Sequence, residues 1–220
     1  MQGNKKIVHI DPVIPDASII QQAAGIIRSG GVVIYPTSSL YGMGVDATDP
    51  DAVGRVFSIK KRMETKPVSI LINRREDLLH YVDDIPEAAR EIMDQLWPGK
   101  ITLVFHASGN LPESLMANTG KIGVRLPLHP VAKLFVEAVG TPLTATSVNI
   151  SGEPACGSIE EVPESIIRAA DMVLDAGRLL GGFGSTVVDV TVSPPRVLRE
   201  GAVSSADIRA ACRDLGLFDD

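Results

Sequence analysis

The sequence predicts one mixed α/β domain built on many short strands. Three features carry that expectation. Short apolar runs bounded by Gly, Pro or Asp alternate along the chain with segments of helical periodicity. Leu, Ile and Val are spread throughout a chain that is 45% apolar. No linker, internal repeat or low-complexity tract divides its 220 residues.

Ile19, Ile20, Ala23, Ala24, Ile26 and Ile27 recur at helical spacing, and Ser29-Gly30-Gly31 stops that helix. VVIYP, Val32 to Pro36, then reads as a strand. Asp49 can cap a second helix, with Pro50 in its first turn and Val53, Val56 and Phe57 on one face. Pro67 marks its limit, VSILI at 68–72 is strand-like, REDLLHYV and PEAAREIMDQLW are helical, and ITLVFHA at 101–107 is a strand. IGVRLP reads as extended, HPVAKLFVEAVG as an amphipathic helix stopped by Gly140, and PLTATSVN as extended again. A helix near 160–170 follows. DMVLDAG, STVVDV and RVLREG supply short strands, and SADIRAACRDLG closes the chain as a helix.

The net charge of -6 argues against a protein whose whole surface serves nucleic acid, yet leaves room for a local basic site, so bulk charge points to small molecules. Cys156 and Cys212 lie far apart without CxxC spacing, which signals neither a disulfide framework nor a zinc site and fits a reducing cytoplasm. No apolar run approaches the roughly 18 residues a membrane helix needs, and the N-terminus lacks the apolar core of a secretion signal. His9, His80, His106 and His129 are scattered without metal-ligand spacing, so no metal cage is encoded. WPGKITL imitates the end of a phosphate loop, but Asp94 stands where the first Gly is required and Ile101 replaces the hydroxyl residue. Gly42 to Ala47 satisfies GxGxxG/A, but Arg62 stands near where the ribose-binding acid is expected.

Four polar clusters remain, each at a predicted strand or helix end. YPTSSLYGMG, Tyr35 to Gly44, leaves an apolar run on three consecutive hydroxyls. KKRMETK, Lys60 to Lys66, places four cations in seven residues. As a helix end they complement the dipole; as an extended segment leading to Pro67, Lys60 and Arg62 aim the same way and, with Lys66, surround a phosphate chain. In TATSVNISG, Ser147 and Asn149 share one side of a strand end, where they suit phosphate oxygens or a ribose, or simply close an ST- or Asx-turn. GGFGSTVVD sets Ser185 and Thr186 after a glycine-rich loop that either admits a ligand to backbone NH groups or makes a turn. Open α/β folds build ligand crevices at such strand ends.

In order along roughly residues 18–204, YPTSSLYGMG, KKRMETKP, WPGKITLVF, GVRLPLHP, TSVNISG, GSTVVD and VLREGAV resemble the motifs of the YrdC/Sua5 family of L-threonylcarbamoyladenylate synthases. The paired KxR (Lys60, Arg62) and SxN (Ser147, Asn149) are the most typical. The resemblance implies a YrdC-like fold: a twisted sheet of mixed parallel and antiparallel strands, with flanking helices, around a large, concave, positively lined cavity. It implies a YrdC-like domain at 12–204, a C-terminal helix and tail at 205–220, and no second domain. The implied activity is that of a cytoplasmic nucleotidyltransferase. It condenses L-threonine, bicarbonate and ATP into threonylcarbamoyl-AMP with release of pyrophosphate, and Mg2+ rides on the ATP. The product passes to a tRNA threonylcarbamoyl transferase complex for t6A modification, with tRNA a further partner and no membrane involved.

By the same resemblance Lys60 and Arg62 are catalytic, and Arg62, Lys66, Ser147, Asn149 and Arg199 bind ATP. Thr37, Ser39, Arg125, Thr146 and Ser185 bind threonine, the Arg125 guanidinium forking onto its carboxylate. Thr37 and Ser39 then face the cavity, and Gly42 and Gly44 permit a sharp return of the chain. The sequence departs from the family pattern at Ser38, usually Glu, at Leu71, a histidine in longer archaeal members, and at Ala155, often Ser. Two other readings use the same features. A structured-RNA-binding module would also present a basic concave surface, which the net charge disfavours. A catalytically degenerate paralogue would share the fold, although this chain retains Ser147 and Asn149.

Overall fold

A computed structural model describes residues 6–215. Its strands are β1 (Ile7–His9), β2 (Val33–Pro36), β3 (Tyr41–Gly44), β4 (Ser69–Leu71), β5 (Ile101–His106), β6 (Lys121–Arg125), β7 (Leu143–Ser147), β8 (Met172–Asp175), β9 (Thr186–Asp189) and β10 (Arg196–Arg199). Its α-helices are α1 (Ala17–Arg28), α2 (Pro50–Lys60), α3 (Glu87–Leu96), α4 (Glu113–Met116), α5 (Pro130–Val139), α6 (Glu164–Ala169) and α7 (Ser205–Ala211). Local chemistry sets the helix ends. The Asp16 carboxylate accepts from the backbone NH of Ser18 and Ile19, and that of Asp49 from Asp51 and Ala52, satisfying donors that a helix start leaves free. Gly140, at φ +84°, ends α5 in the left-handed conformation that costs glycine least.

Several elements differ from expectation. Arg75–His80 winds as a 3-10 helix in place of an α-helix, and the last predicted helix ends at Ala211, with a 3-10 turn over Arg213–Leu215. Gly216, the final residue of that predicted helix, lies outside the described residues. The short strands β1 and β3 were outside the expected set, because three-residue pairing and two glycines leave no strand-like pattern.

The ten strands form one sheet in the order β1-β8-β2-β3-β7-β4-β6-β5-β9-β10. Parallel pairs (β1/β8, β2/β8, β4/β6, β5/β9) and antiparallel pairs (β2/β3, β3/β7, β4/β7, β5/β6, β9/β10) are mixed, as expected. Neither expected boundary is an edge of the fold. β1 pairs with β8 ahead of residue 12, and α7, after residue 204, sends Ile208 and Ala211 into the same core as Ala88, Ala89 and Ile92 of α3.

The two faces of the sheet are covered differently. One carries the main core, in which Ile34, Met43, Ile70, Leu103, Val124 and Val188 meet buried side chains of α2, α3, α4, α6 and α7. On the other face α1 and α5 bury Val33, Tyr35, Leu71, Leu143, Met172 and Leu174, and Phe135 of α5 lies 5.6 Å from the Tyr35 ring. Full burial of a residue like Phe135 contributes about 1.5–3 kcal/mol. That second cover stops near β4 and β7. The same face of β4, β6, β5 and β9 is left open, and it floors a cavity of about 900 Å³.

Candidate active site

Strand alternation builds the cavity floor, because successive side chains point to opposite faces. Ile101, Leu103 and Phe105 of β5 enter the core, while Thr102 and Val104 line the cavity, continued by Lys100 just before the strand. Ile122 and Val124 of β6 do the former, and Lys121, Gly123 and Arg125 the latter. Val188 of β9 is core, whereas Val187 and Asp189, with Ser185 ahead of them, face the cavity. The walls carry seven cations, Arg62, Lys66, Lys100, Lys121, Arg125, Arg196 and Arg199, against two carboxylates, Asp189 and Glu200. A chain of net charge -6 thus holds a concentrated positive interior.

Most expected site residues converge there. Thr37, Ser39, Arg62, Lys66, Arg125, Thr146, Ser147, Ser185 and Arg199 all line the cavity. Arg62 is braced by its own loop, donating from Nε to the Lys66 carbonyl (3.1 Å) and from a terminal nitrogen to the Pro67 carbonyl (2.8 Å). Arg125 donates from Nε to the Gly99 carbonyl (3.0 Å), and Arg199 to the Ser185 carbonyl (2.8 Å). Among the described residues none of these three arginines meets a carboxylate. Burial, and then the Arg199 charge, lower the pKa of Arg62. Burial likewise lowers that of Arg125, with Tyr35 opposing and Arg199 assisting. Desolvated cations that repel one another favour an anion between them.

Two expected residues are elsewhere. Lys60 is the last residue of α2, because Lys61 turns left-handed (φ 48°) and ends the helix; the extended run that would aim Lys60 beside Arg62 does not form. Its side chain is 1% exposed and lies behind the cavity wall, where the ammonium donates to the carbonyl of Ser147, to that of Asn149 (2.8 Å) and to Asn149 Oδ1 (3.3 Å). Burial first, then the Arg62 charge, lower its pKa to about 8, with Cys156 opposing. Asn149 is buried too, and it does not share an open side with Ser147. Its Oδ1 accepts from Ser147 Oγ (2.5 Å), while Nδ2 donates to the carbonyls of Ile150 (3.0 Å) and Glu153 (2.7 Å). Lys60 and Asn149 therefore brace the segment that presents Ser147.

The hydroxyl turn also differs from expectation. Thr37 closes it by donating twice to Leu40: its NH (3.1 Å) and Oγ1 (2.6 Å) both donate to the Leu40 carbonyl. Gly42 and Gly44 lie within β3, not at a sharp return. A Cβ on Gly44 would stand 2.8 Å from the Tyr35 ring and one on Gly42 3.0 Å, so both glycines make room for that ring.

Sequence reasoning missed Lys100, Thr102, Lys121 and Asp189. Thr102 and Ser185 hydroxyls lie 2.8 Å apart, and Lys121 Nζ lies 3.0 Å from Asp189 Oδ2. The signal was present as polar residues alternating with apolar ones in KITLV, KIGVR and STVVD. No group of three or more His, Cys, Asp or Glu able to hold a metal occurs among the described residues. Asp189 is engaged by Lys121 and Thr191.

A family model for Sua5, YciO and YrdC, described as "Telomere recombination", matches residues 25–201. Over 189 residues the chain is 36% identical to a threonylcarbamoyl-AMP synthase of Pyrococcus abyssi, covering 86% of this chain and 56% of that protein. It thus spans little more than half that relative's length. The crystal structure of P. abyssi Sua5 complexed with L-threonine matches at TM-score 0.89 and 34% identity, over 93% of this chain and 60% of that one. Escherichia coli YciO, an uncharacterized protein, matches at TM-score 0.82 and 29% identity, over 91% and 98% of the two chains. The strand-end cavity and these similarities agree: the chain belongs to the Sua5/YciO/YrdC family.

Proposed function

We propose that this protein synthesises L-threonylcarbamoyladenylate from L-threonine, bicarbonate and ATP, releasing pyrophosphate, as the first step of tRNA t6A modification. One observation carries the reading: a cavity of about 900 Å³ lined by seven cations and by the hydroxyls of Thr37, Ser39, Thr146, Ser147 and Ser185, in an acidic chain. It suits a polyanion together with a small polar amino acid. The match to a Sua5 crystallised with L-threonine supports it.

In this reading the Arg125 fork holds the threonine carboxylate, with Thr37, Ser39, Thr146 and Ser185 around the remainder. The threonine amine condenses with bicarbonate, losing water, and the carbamate oxygen attacks the α-phosphorus of ATP. The bond from that phosphorus to the bridging oxygen of the β-phosphate breaks, and pyrophosphate departs. No activated protein nucleophile is needed. Arg62, Lys66 and Arg199 position the nucleotide and offset charge developing on its phosphates, with Mg2+ arriving on ATP. Lys60 and Asn149 act from behind the wall, by holding Ser147. The setting is a reducing cytoplasm, where the product passes to the tRNA threonylcarbamoyl transferase complex. Among the described residues no helix is long and apolar enough to cross a membrane.

The test is pyrophosphate release with mass-spectrometric detection of threonylcarbamoyl-AMP, supplying MgATP, bicarbonate and L-threonine together and omitting each in turn. Product that requires all three supports the proposal. ATP binding without product would overturn it and favour a non-synthase member of the family. RNA binding with steep salt dependence and no threonine requirement would favour the RNA module.

A further inference from the structure

The connection from β8 to β9, residues 176–185, has no role in the scheme above beyond the Ser185 hydroxyl. β8 and β9 stand second and ninth in the sheet. The antiparallel pairings between them (β2/β3, β3/β7, β4/β7, β5/β6) are even in number, so both strands point the same way. The chain must return from the C-terminal end of one to the N-terminal end of the other, a crossing that parallel strands usually make with a helix. Here ten residues, 176–185, make it without one. Gly182, Phe183 and Gly184 line the cavity, so the crossing passes over the face that α1 and α5 leave open.

Both feet of this crossing are tied down. At the near foot the Tyr41 hydroxyl donates to the Gly177 carbonyl (2.7 Å), the Leu179 NH to that of Gly157 (2.8 Å) and the Gly181 NH to that of Ser39 (2.9 Å). Arg178 pairs with Glu161 (3.1 Å), whose other carboxylate oxygen accepts from the Gly157 NH (2.7 Å). At the far foot the Gly184 carbonyl accepts from the Ala202 NH (3.0 Å), and that of Ser185 from Arg199 (2.8 Å). Between the feet, no backbone hydrogen bond holds Gly182 or Phe183 among the described residues. Gly181 and Gly182 are left-handed (φ +69° and +82°), and a Cβ on either would meet nothing within 4 Å, so these positions require backbone freedom and not room. The side chain they flank, Phe183, is 76% exposed at the mouth of a cavity that offers apolar lining at Val104, Val187 and Leu198. Moving that ring out of water is favourable.

We propose that Gly177–Gly184 is a strap that closes over the filled cavity, its tip turning on Gly181, Gly182 and Gly184 to carry Phe183 into the mouth. Closure shuts water out, which strengthens the hold of the wall cations on a polyanion. It also shields a labile product. Water that reaches threonylcarbamoyl-AMP splits the mixed anhydride into AMP and the carbamate, which with a second water returns threonine and bicarbonate. Phe183 thus acts by excluding water and touches no reacting atom. The identity of the ligands rests on the synthase reading, but closure needs no turnover and can be tested apart from it.

The experiment is amide hydrogen exchange, read by mass spectrometry on the full chain alone and with MgATP, L-threonine or both. With both ligands, exchange across 177–184 is expected to slow by about tenfold to a hundredfold, the bias that burying one phenylalanine supplies. Phe183→Ala is expected to lose that slowing, and Phe183→Leu to restore much of it. Under turnover, Phe183→Ala should yield less threonylcarbamoyl-AMP per pyrophosphate released than the native chain, a split that a merely structural loop residue would not produce. Unchanged exchange across 177–184 while calorimetry shows both ligands bound, or slowing that Phe183→Ala keeps in full, would overturn the proposal, as would failure of both ligands to bind. An undiminished product ratio in Phe183→Ala would overturn the shielding role. Strap protection in a protein that makes no threonylcarbamoyl-AMP would sustain the closure while refuting the synthase, and product formed under an unprotected strap would do the reverse.

Discussion

Replacing Lys60 with Met asks whether the KxR lysine works on substrate or on the protein. Methionine keeps the length of the side chain and removes its donors. The Asn149 carbonyl then loses its one side-chain partner, while the Ser147 carbonyl keeps the Asn149 NH (3.1 Å) and Asn149 Oδ1 keeps the Ser147 hydroxyl. One orphaned buried acceptor costs about 1–3 kcal/mol, or a fall in Tm of roughly 2–12 °C for a chain of this size. The pH dependence has a definite sign. The folded pKa of Lys60, lowered to about 8, lies below the unfolded value of 10.5, so between those values the unfolded chain holds a proton that the folded one has shed. Native stability therefore rises from about pH 8 to 10.5 by up to about 3 kcal/mol, and Lys60→Met lacks that rise. Thermal melts of both proteins across that range, beside pyrophosphate release at neutral pH, measure it. An unchanged Tm with turnover abolished would refute a bracing role and return Lys60 to the substrate.

Three further substitutions probe separate parts of the argument. Gly44→Ala drives a Cβ to 2.8 Å from a Tyr35 ring that is 1% exposed; overpacking of about 1–3 kcal/mol should appear as a lower Tm, and an unaltered melt would show that the ring is free to shift. Arg125→Leu should weaken L-threonine more than ATP in calorimetric titrations, whereas equal loss of both would remove its carboxylate-binding role. Burial raises the pKa of Asp189, but hydrogen bonds from Thr191 and Lys121 outweigh it and hold the carboxyl below 3.8. Its contribution is present above that pH and disappears as pH falls through the lower folded value, so the melting difference from Asp189→Asn should be steady from pH 8 to 5 and shrink below about pH 4. A difference that persists undiminished to pH 2 would refute the linkage.

Much of the fold was legible because its signals are local. The caps at Asp16 and Asp49, Pro at the first turns of α2 and α5, and the glycine after α5 need only neighbouring residues to act. β3 was not legible, since Tyr41-Gly-Met-Gly reads as a turn until Tyr35 is known to lie across its glycines from β2. The cavity-lining Arg62, Arg125, Ser147 and Ser185 could be named from their motifs. Lys60 and Asn149 were placed on the wrong side of the wall, because a single left-handed residue, Lys61, and a hydrogen-bonded turn decide where they point.

The sequence by itself determined the α/β class, the polar strand ends and the family motifs, all properties of short windows or of their order along the chain. Only the tertiary structure decided which polar residues share a cavity. Alternation in KITLV, KIGVR and STVVD sorts side chains onto two faces, but it cannot say which face is left open. That depends on strand order across ten strands and on α1 and α5 packing over β8, β2 and β7 while stopping short of β5 and β9. Such long-range packing turns Lys100, Lys121 and Asp189 from ordinary strand residues into the wall of a charged cavity.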